Sequence, residues 1–412
     1  MNNNNQHIPS GYKPSPLGII PEDWEVKRLG DFSRFFSGGT PKSGNPLFYK
    51  GNIPFIRSGE INKGKTELFL SQEGVDNSSA KLVEEGDILY ALYGANSGQC
   101  SLSKIQGAIN QAILCIRPKA NKYYVMSVLQ LNKEHYYNSF LQGGQGNLSG
   151  EIVSNYRLAI PPIEEQERIC NVLQLWDTAI AKQTALIEKL TLCKRGLMQQ
   201  LLTGKKRLKG FEGEWKNIMI GSIAERITRK NEEDNKNVVT ISAQRGFVVQ
   251  TDFFNKSVAS EILDGYFLVH KDEFCYNKSY SNGYPMGAIK RLKSFDKAVV
   301  TTLYICFRLK EKLRTNIDFF EQYCESGLLN KELVKVANEG GRAHGLLNVT
   351  PADFFNMHMR FPLIEEQTAI ASVLVNADKE IEIHKQKLAA MQEQKKGLMQ
   401  VLLTGKRRIK IN

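Results

Sequence analysis

Residues 161–209 read PPIEEQERICNVLQLWDTAIAKQTALIEKLTLCKRGLMQQLLTGKKRLK, and residues 362–410 read PLIEEQTAIASVLVNADKEIEIHKQKLAAMQEQKKGLMQVLLTGKRRIK. Each position of the first stretch recurs 201 positions later without a gap, from Pro161 and Pro362 to Gly204 and Gly405. Ile-Glu-Glu-Gln opens both copies, and Gly-Leu-Met-Gln-x-Leu-Leu-Thr-Gly-Lys closes both. An internal repeat of this kind decides the architecture before any single residue does.

Each copy is expected to be one long helix. Prolines lead in, and Glu164, Glu165, Glu365 and Glu366 fall in the first turns, where the helix dipole favours acids. Gly204 and Gly405 stand where a C-cap belongs. Between the ends, spacing of 4,3,4,3 marks a coiled-coil seam. In the first copy the seam is Ile169, Leu173, Trp176, Ile180, Gln183, Ile187, Leu190, Lys194, Leu197 and Leu201. In the second it is Ile370, Leu374, Ala377, Ile381, His384, Leu388, Met391, Lys395, Leu398 and Leu402. Polar interruptions match between the copies, Gln183 with His384 and Lys194 with Lys395, and such residues fix register at a cost in stability. Gly196 and Gly397 lie inside the helices, where close helix approach and simple tolerance are the two readings. A helix this long cannot bury its stripe alone. The expected partner is the other copy, packed antiparallel, with one compact domain near each end and a pseudo-two-fold axis between the halves.

The remainder of the chain follows this duplication. Residues 21–160 and 212–361 read as two domains of one ancestry, flanking a first helix segment 161–211 and followed by a second, 362–412. Trp24-x5-Gly30 recurs as Trp215-x5-Gly221, and Cys115-Ile-Arg117 as Cys306-Phe-Arg308, both 191 positions on. IPFIRS, GDILYALYG, NVVTISA and EFCYNKSY read as strands, whereas PEDWEVKRLGD, YYVMSVLQLN and DFFEQYCESGLL read as partly helical. The expected fold class is α+β: two α+β domains joined and separated by two long antiparallel helices. Residues 1–20 are polar and rich in Pro and Gly and read as a flexible tail.

The 412 residues carry a net charge of +12, which points to an acidic partner, nucleic acid before anionic membrane. No run reaches the length of a membrane-spanning helix and no signal peptide opens the chain. Seven scattered cysteines without a C-x-x-C argue against a disulfide framework or zinc site and fit a reducing cytoplasm. The six histidines show no metal-ligand spacing.

One motif invites an enzymatic reading. Gly59 to Thr66, GEINKGKT, matches the phosphate-binding loop G-x-x-x-x-G-K-[ST] after a strand-like run. The helix such a loop should open is missing from the pattern, no Asp-terminated apolar strand supplies a magnesium partner, and the second domain has no counterpart. An Asn/Asp-Pro-Pro-aromatic loop for base methylation is absent, as are a nucleophile triad and a paired-carboxylate nuclease motif. No catalytic residue and no metal ligand is expected.

What remains is a set of polar loops flanked by aromatics. In the first domain the candidate DNA contacts are Thr40, Lys42, Arg57, Ser58, Tyr93, Asn96, Ser97, Asn110, Gln111 and Gln145; in the second they are Gln244, Arg245, Lys278, Tyr280, Ser281, Asn282, Thr301, Arg342 and His344. Arg, Asn and Gln read base edges, while Lys, Ser and Thr hold phosphates. Taken singly, each also fits an ordinary solvated turn. The clusters Lys205–Lys209 and Lys406–Lys410 fit a dipole partner, a phosphate contact or a protein-docking edge equally well.

Pro-x-x-Trp24-x5-Gly30, Ser37-Gly-Gly-Thr-Pro-Lys42, Gly51-Asn-Ile-Pro-Phe-Ile56, Gly86-Asp87-Ile88-Leu89 and the paired helices, in the order domain, helix, domain, helix, resemble the specificity subunit of type I restriction–modification systems. The resemblance implies two target recognition domains, each reading one half of a bipartite site in double-stranded DNA. It further implies that the helix pair sets the unspecific spacer and docks two modification subunits that use S-adenosylmethionine to methylate adenine N6. Restriction subunits would add translocation and cleavage with ATP and magnesium. This chain itself would be non-catalytic and bind no cofactor. The rival readings are a coiled-coil DNA-binding regulator or adaptor unconnected with methylation, and an NTPase.

Overall fold

A computed structural model describes residues 8–140, 147–251, 263–310, 314–337 and 347–409. The chain divides into two compact units, Met1–Gln183 with Lys387–Asn412, and Thr184–Gln386.

Unit 1 begins with a hairpin of β1 (Tyr12–Ser15) and β2 (Gly18–Pro21). Gly18, at φ +97°, takes the left-handed turn position that L side chains avoid. The Tyr12 hydroxyl donates to the Gly405 carbonyl at 3.0 Å. Residues 12–20 are therefore ordered, contrary to the expected tail through residue 20; residues 1–7 lie outside the described residues. PEDWEVKRLGD, expected to be partly helical, holds a 3-10 turn at Leu29–Asp31, but its middle is strand β3 (Glu25–Arg28), whose backbone pairs far along the chain with Arg157–Ile160.

Strands β4 (Ser33–Ser37), β5 (Ile53–Ile56), β6 (Leu68–Leu70), β7 (Lys81–Val83), β8 (Ile88–Ala91), β9 (Cys100–Leu102), β10 (Gly107–Ile109) and β11 (Ile113–Pro118) follow. They form two sheets, β4-β11-β8-β9 and β6-β5-β10-β7. Pairing is antiparallel except between β5 and β10. All four residues of β8 are buried, which explains its unbroken apolar run. Helices α1 (Gln72–Asp76), α2 (Lys122–Leu131), α3 (Lys133–Phe140) and α4 (Gly150–Ser154) precede β12 (Arg157–Ile160) and the long helix α5 (Ile163–Leu201).

Unit 2 repeats this plan. It runs β13 (Lys216–Met219), α6 (Ile220–Ile223), β14 (Ala224–Arg226), β15 (Val239–Ser242), β16 (Gly246–Val249), β17 (Phe267–His270), β18 (Phe274–Asn277), β19 (Ala288–Arg291), β20 (Lys297–Val300) and β21 (Ile305–Leu309). Then come α7 (Ile317–Glu325), α8 (Asn330–Val336), α9 (Pro351–Asn356), β22 (His358–Phe361) and the second long helix α10 (Ile364–Leu402). The sheet β14-β21-β18-β19 matches β4-β11-β8-β9. Val238, just before β15, bridges Val299 of β20 in parallel, as β5 pairs β10. Ile116 faces Phe35, and Phe307 faces Arg226, so the 191 offset is a true structural register between these strands.

Each unit contains one half of each long helix, and within each the halves run antiparallel. In unit 1, Ile169, Cys170 and Leu173 share a core with Met399, Leu402 and Leu403 and with Trp24, Tyr124 and Tyr156 of the domain. In unit 2, Met198, Leu201 and Leu202 share a core with Ile370, Ala371, Leu374 and Trp215. Every seam position is buried or half-buried, while Leu175, Leu192 and Ile383 off the seam are more than 60% exposed. The seam lysines are ion-paired: Lys194 with Asp378 at 2.6 Å and Lys395 with Asp177 at 2.5 Å. Added Cβ atoms on Gly196 and Gly397 would meet nothing within 4 Å, so close helix approach does not explain these glycines and the helices simply tolerate them. Gly204 and Gly405 both have φ +70° and terminate the helices as expected.

The repeated Glu-Glu-Gln and basic motifs turn out to be one device used twice. Glu165 accepts from Trp24 Nε1 at 2.9 Å and from Arg408 at 2.6 and 2.7 Å. Glu366 accepts from Trp215 Nε1 at 3.1 Å and from Arg207 at 2.6 and 2.7 Å. Gln166 Oε1 accepts from the backbone of Asn121, which caps α2, and Gln367 Oε1 does the same for Asn316, which caps α7, both at 2.9 Å. One buried carboxylate thus ties together a domain tryptophan, the start of one helix and the end of the other.

Candidate nucleic-acid interface

Strand direction places the candidate loops. In unit 1, β5 and β10 run in parallel and end at Ile56 and Ile109. Ala91, ending β8, and Ser37, ending β4, lie opposite Ile113 and Leu114, which begin β11. The segments 38–42, 57–67, 92–99 and 110–112 therefore leave one common edge. Leu148, just beyond the candidate loop around Gln145, donates its N–H to the Leu92 carbonyl at 2.9 Å and returns the chain to that edge. Gln145 lies outside the described residues.

The edge is held by close backbone contact. Gly38 and Gly39 donate to the Ile113 and Ile109 carbonyls at 3.4 and 3.1 Å. A Cβ on Gly38 would come within 1.8 Å of the Ile109 carbonyl oxygen, so only glycine fits. This brings Thr40 to Gln111, whose amide oxygen accepts a hydrogen bond from the Thr40 hydroxyl. Gln111, Thr40 and Lys42 are exposed. Asn110 turns its amide oxygen inward, where it has no partner among the described residues. Asn96 sits beside Gly59, where a Cβ would lie 3.5 Å from its amide nitrogen. Tyr93 is half-buried against the core. Ser97 is buried and donates to the Leu92 carbonyl at 3.0 Å, which makes it a turn-holding group.

Arg57 is ion-paired within its own loop, with its side chain 40% exposed. Its guanidinium binds Glu60 at 3.1 and 3.2 Å and Glu67 at 2.5 Å, with Ser58 opening the short turn Ser58–Glu60 between them. Glu60 also accepts from the Glu67 backbone at 3.2 Å, and the Thr66 hydroxyl donates to the Phe55 carbonyl at 2.7 Å. Strand β6 follows, with no helix at Thr66. Residues 59–66 thus form an ion-paired turn with a sequence resemblance to a phosphate loop but without the helix that such a loop opens.

Burial alone would raise the Glu60 carboxyl, but hydrogen bonds from Arg57 and the backbone outweigh it and hold the group at about 2, below the ordinary 4.5. Ionised Glu60 therefore contributes stability above pH 4.5 that is lost as pH falls toward about 2. Glu60→Gln is expected to flatten that acid limb of unit 1. Urea midpoints followed from neutral pH down to about 2 test this, and equal pH-dependence in both proteins would exclude it.

In unit 2 the same edge carries the turn between β15 and β16, the loop after β18 and the turn between β20 and β21. Leu347 donates to the Lys278 carbonyl at 3.0 Å, as Leu148 does to Leu92. Gln244 donates from its amide nitrogen to the Asn282 carbonyl at 2.9 Å, which joins two of the candidate loops. Arg245 is exposed, and its backbone is fixed by the Ser242 hydroxyl at 3.2 Å. Ser281 pairs backbone to backbone with Tyr284 across the loop tip. Tyr280 is 67% exposed, and Thr301 Oγ1 accepts from the Leu303 backbone at 3.3 Å. Arg342 and His344 lie outside the described residues.

Among the described residues, no group of three or more His, Cys, Asp or Glu is placed to hold a metal ion, and no helix is long and apolar enough to cross a membrane. The residues that sequence reasoning missed are the carboxylates Glu165, Glu366, Asp177 and Asp378 and the arginines Arg207 and Arg408. Their identity across the 201-residue repeat was the available signal.

Comparison with known proteins agrees with this geometry. Residues 21–192 match the type I restriction modification DNA specificity domain. The type I restriction enzyme MjaVIII specificity subunit of Methanocaldococcus jannaschii is 26% identical, over 95% of this chain and 94% of its own length. The putative MjaX specificity subunit of the same organism is 26% identical over 97% of each. In fold, the chain resembles the S subunit of a type I restriction–modification system from M. genitalium, with a TM-score of 0.55, 14% identity and coverage of 100% and 99%. A chain from a structure of type I system assembly and conformational transition gives 0.56, 16% identity and coverage of 94% and 99%. In its matched domain and its end-to-end relatives the chain is similar to the specificity subunits of type I restriction–modification systems, and its duplicated fold resembles theirs.

Proposed function

We propose that this chain supplies the sequence specificity of a type I restriction–modification enzyme, with each unit reading one half of a bipartite site in double-stranded DNA. The observation that carries this is the contrast between frame and edge. The frame is duplicated down to individual ion pairs, whereas the edge presents Thr40, Gln111, Asn96 and Lys42 in unit 1 and Gln244, Arg245, Tyr280 and Thr301 in unit 2. Two copies of one scaffold with different surfaces at the same strand ends suit two different half-sites. The net charge of +12 favours the phosphate backbone independently of sequence.

The paired helices set the spacer between half-sites and dock two modification subunits, which bring S-adenosylmethionine and methylate adenine N6. Restriction subunits add ATP- and magnesium-dependent translocation and cleavage. The chain is a non-catalytic cytoplasmic subunit of this assembly and binds no cofactor of its own.

Long-read sequencing for N6-methyladenine, with the gene present or deleted and its neighbours intact, tests the proposal. A bipartite motif that loses methylation on deletion is the expected result. An unchanged methylation pattern with the partner genes expressed would instead favour a coiled-coil regulator or adaptor.

A further inference from the structure

The duplication permits a comparison of the same turn in both units. Strands β10 and β11 are joined by Asn110-Gln111-Ala112, and β20 and β21 by Thr301-Thr302-Leu303-Tyr304. Ile113 donates to the Asn110 carbonyl at 3.1 Å, and Tyr304 donates to the Thr301 carbonyl at 3.3 Å, so the two turns are built alike. Their surfaces differ in chemistry. In unit 1 the third position, Ala112, is 5% exposed, and the outward group is the Gln111 amide, oriented by the Thr40 hydroxyl. In unit 2 the third position, Leu303, is 57% exposed.

A single exposed leucine is ordinary on a protein surface. Leu303 differs in being rigidly presented among candidate reading groups. Its own N–H bonds the Thr301 hydroxyl, and the neighbouring Tyr304 side chain is 9% exposed, with its hydroxyl 3.1 Å from Thr240 Oγ1 and 3.4 Å from the Ile241 nitrogen. That anchors the turn to β15, whose end carries Gln244 and Arg245. In unit 1, the segments 38–42, 57–67, 92–99 and 110–112 contain no exposed large hydrophobic residue. An amide that both donates and accepts suits adenine in the major groove, whereas an aliphatic side chain suits the thymine 5-methyl group.

We infer that Leu303 reads a thymine 5-methyl group in the half-site recognised by unit 2. This rests on the DNA-reading role proposed above. The turn that reads by amide hydrogen bonds in unit 1 reads by apolar contact in unit 2, which makes Leu303 a specificity-determining residue.

The test uses the full chain co-purified with its modification subunits and duplexes carrying the motif found by methylation mapping. Each thymine of the unit 2 half-site is replaced in turn by deoxyuridine, which removes only the methyl group and keeps base pairing. Affinity for one substituted duplex is expected to fall on the order of fourfold, the effect of one exposed methyl contact. Leu303→Ala should lower affinity for the thymine duplex by a similar factor and bind both duplexes equally. The inference is overturned if wild-type protein binds every deoxyuridine duplex as well as the parent, if Leu303→Ala keeps the wild-type sensitivity, or if the half-site holds no A·T pair. The deoxyuridine arms need no variant, so a folding defect cannot obscure them. Loss of a mapped motif, or of all binding to it, would remove the DNA-reading role along with the inference.

Discussion

Arg207→Ala should destabilise unit 2 by about 3 kcal/mol, the lower end of the cost of stripping one partner from a buried ion pair. Glu366 is 2% exposed, and Arg207 binds it through two hydrogen bonds while its guanidinium lies 6.0 Å from the Trp215 ring centroid. Without the arginine, the carboxylate keeps Trp215 Nε1 as its remaining partner from those bonds and stays out of water. Arg207→Ala combined with Glu366→Gln should be milder than Arg207→Ala alone, because the uncompensated charge is then gone. Lys206→Ala, at an exposed neighbour, should fall within about 0.5 kcal/mol of wild type. Hydrogen exchange by mass spectrometry at β13, α7 and β22 is the suitable readout, since two units need not unfold in one step. Unchanged protection there in Arg207→Ala would show that the clamp does not hold the domain to its helices. Arg408→Ala should loosen unit 1 in the same way and also release Asp23, which Arg408 binds at 2.8 and 2.9 Å.

The clamp also shows what the sequence could and could not disclose. The helices were legible because a 3.5-residue period survives in both copies without a gap, and Ile163–Leu201 and Ile364–Leu402 fall where the prolines and glycines place them. Lys194 and Lys395 were visible as interruptions of the seam, but their partners Asp378 and Asp177 lie 184 and 218 residues away. Only an antiparallel register brings those positions together, and spacing along one helix says nothing about it. PEDWEVKRLGD looked partly helical, as Leu29–Asp31 is, but local pattern does not foresee the strand partner that Arg157–Ile160 gives to Glu25–Arg28. At the edge, loops rich in Asn, Gln and Ser were recognisable, whereas their internal commitments were not. The ion pair of Arg57 with Glu60, three residues on, was one such commitment. Leu303 escaped notice because a search for polar readers passes over an aliphatic turn.

Exchange of residues 212–361 for the corresponding domain of a relative should replace every specified base of one half-site and leave the other half-site intact. The physical basis is that, beside a shared apolar core, the domain meets its helix halves through a small set of polar contacts, those to Glu366 and Gln367 being repeated in unit 1. Trp215 binds Glu366, the backbone of Asn316 binds Gln367, and Gln322 Nε2 binds Asp378 at 2.7 Å. An incoming domain that carries the tryptophan and the capping asparagine meets the same carboxylate and the same glutamine, so the frame should accept it. A donor lacking the tryptophan should lose binding to the whole site, because the Glu366 clamp would be short of a donor. Unit 1 keeps its own clamp on Glu165, and its edge from Thr40 to Gln111 is built entirely from residues outside the exchanged segment. Methylation mapping of the chimera decides the matter. If both half-sites change, recognition is a property of the whole chain, and the duplicated frame does not confer independent reading. If one half changes and the spacer is retained, the helices carry the spacing while each edge carries its own bases.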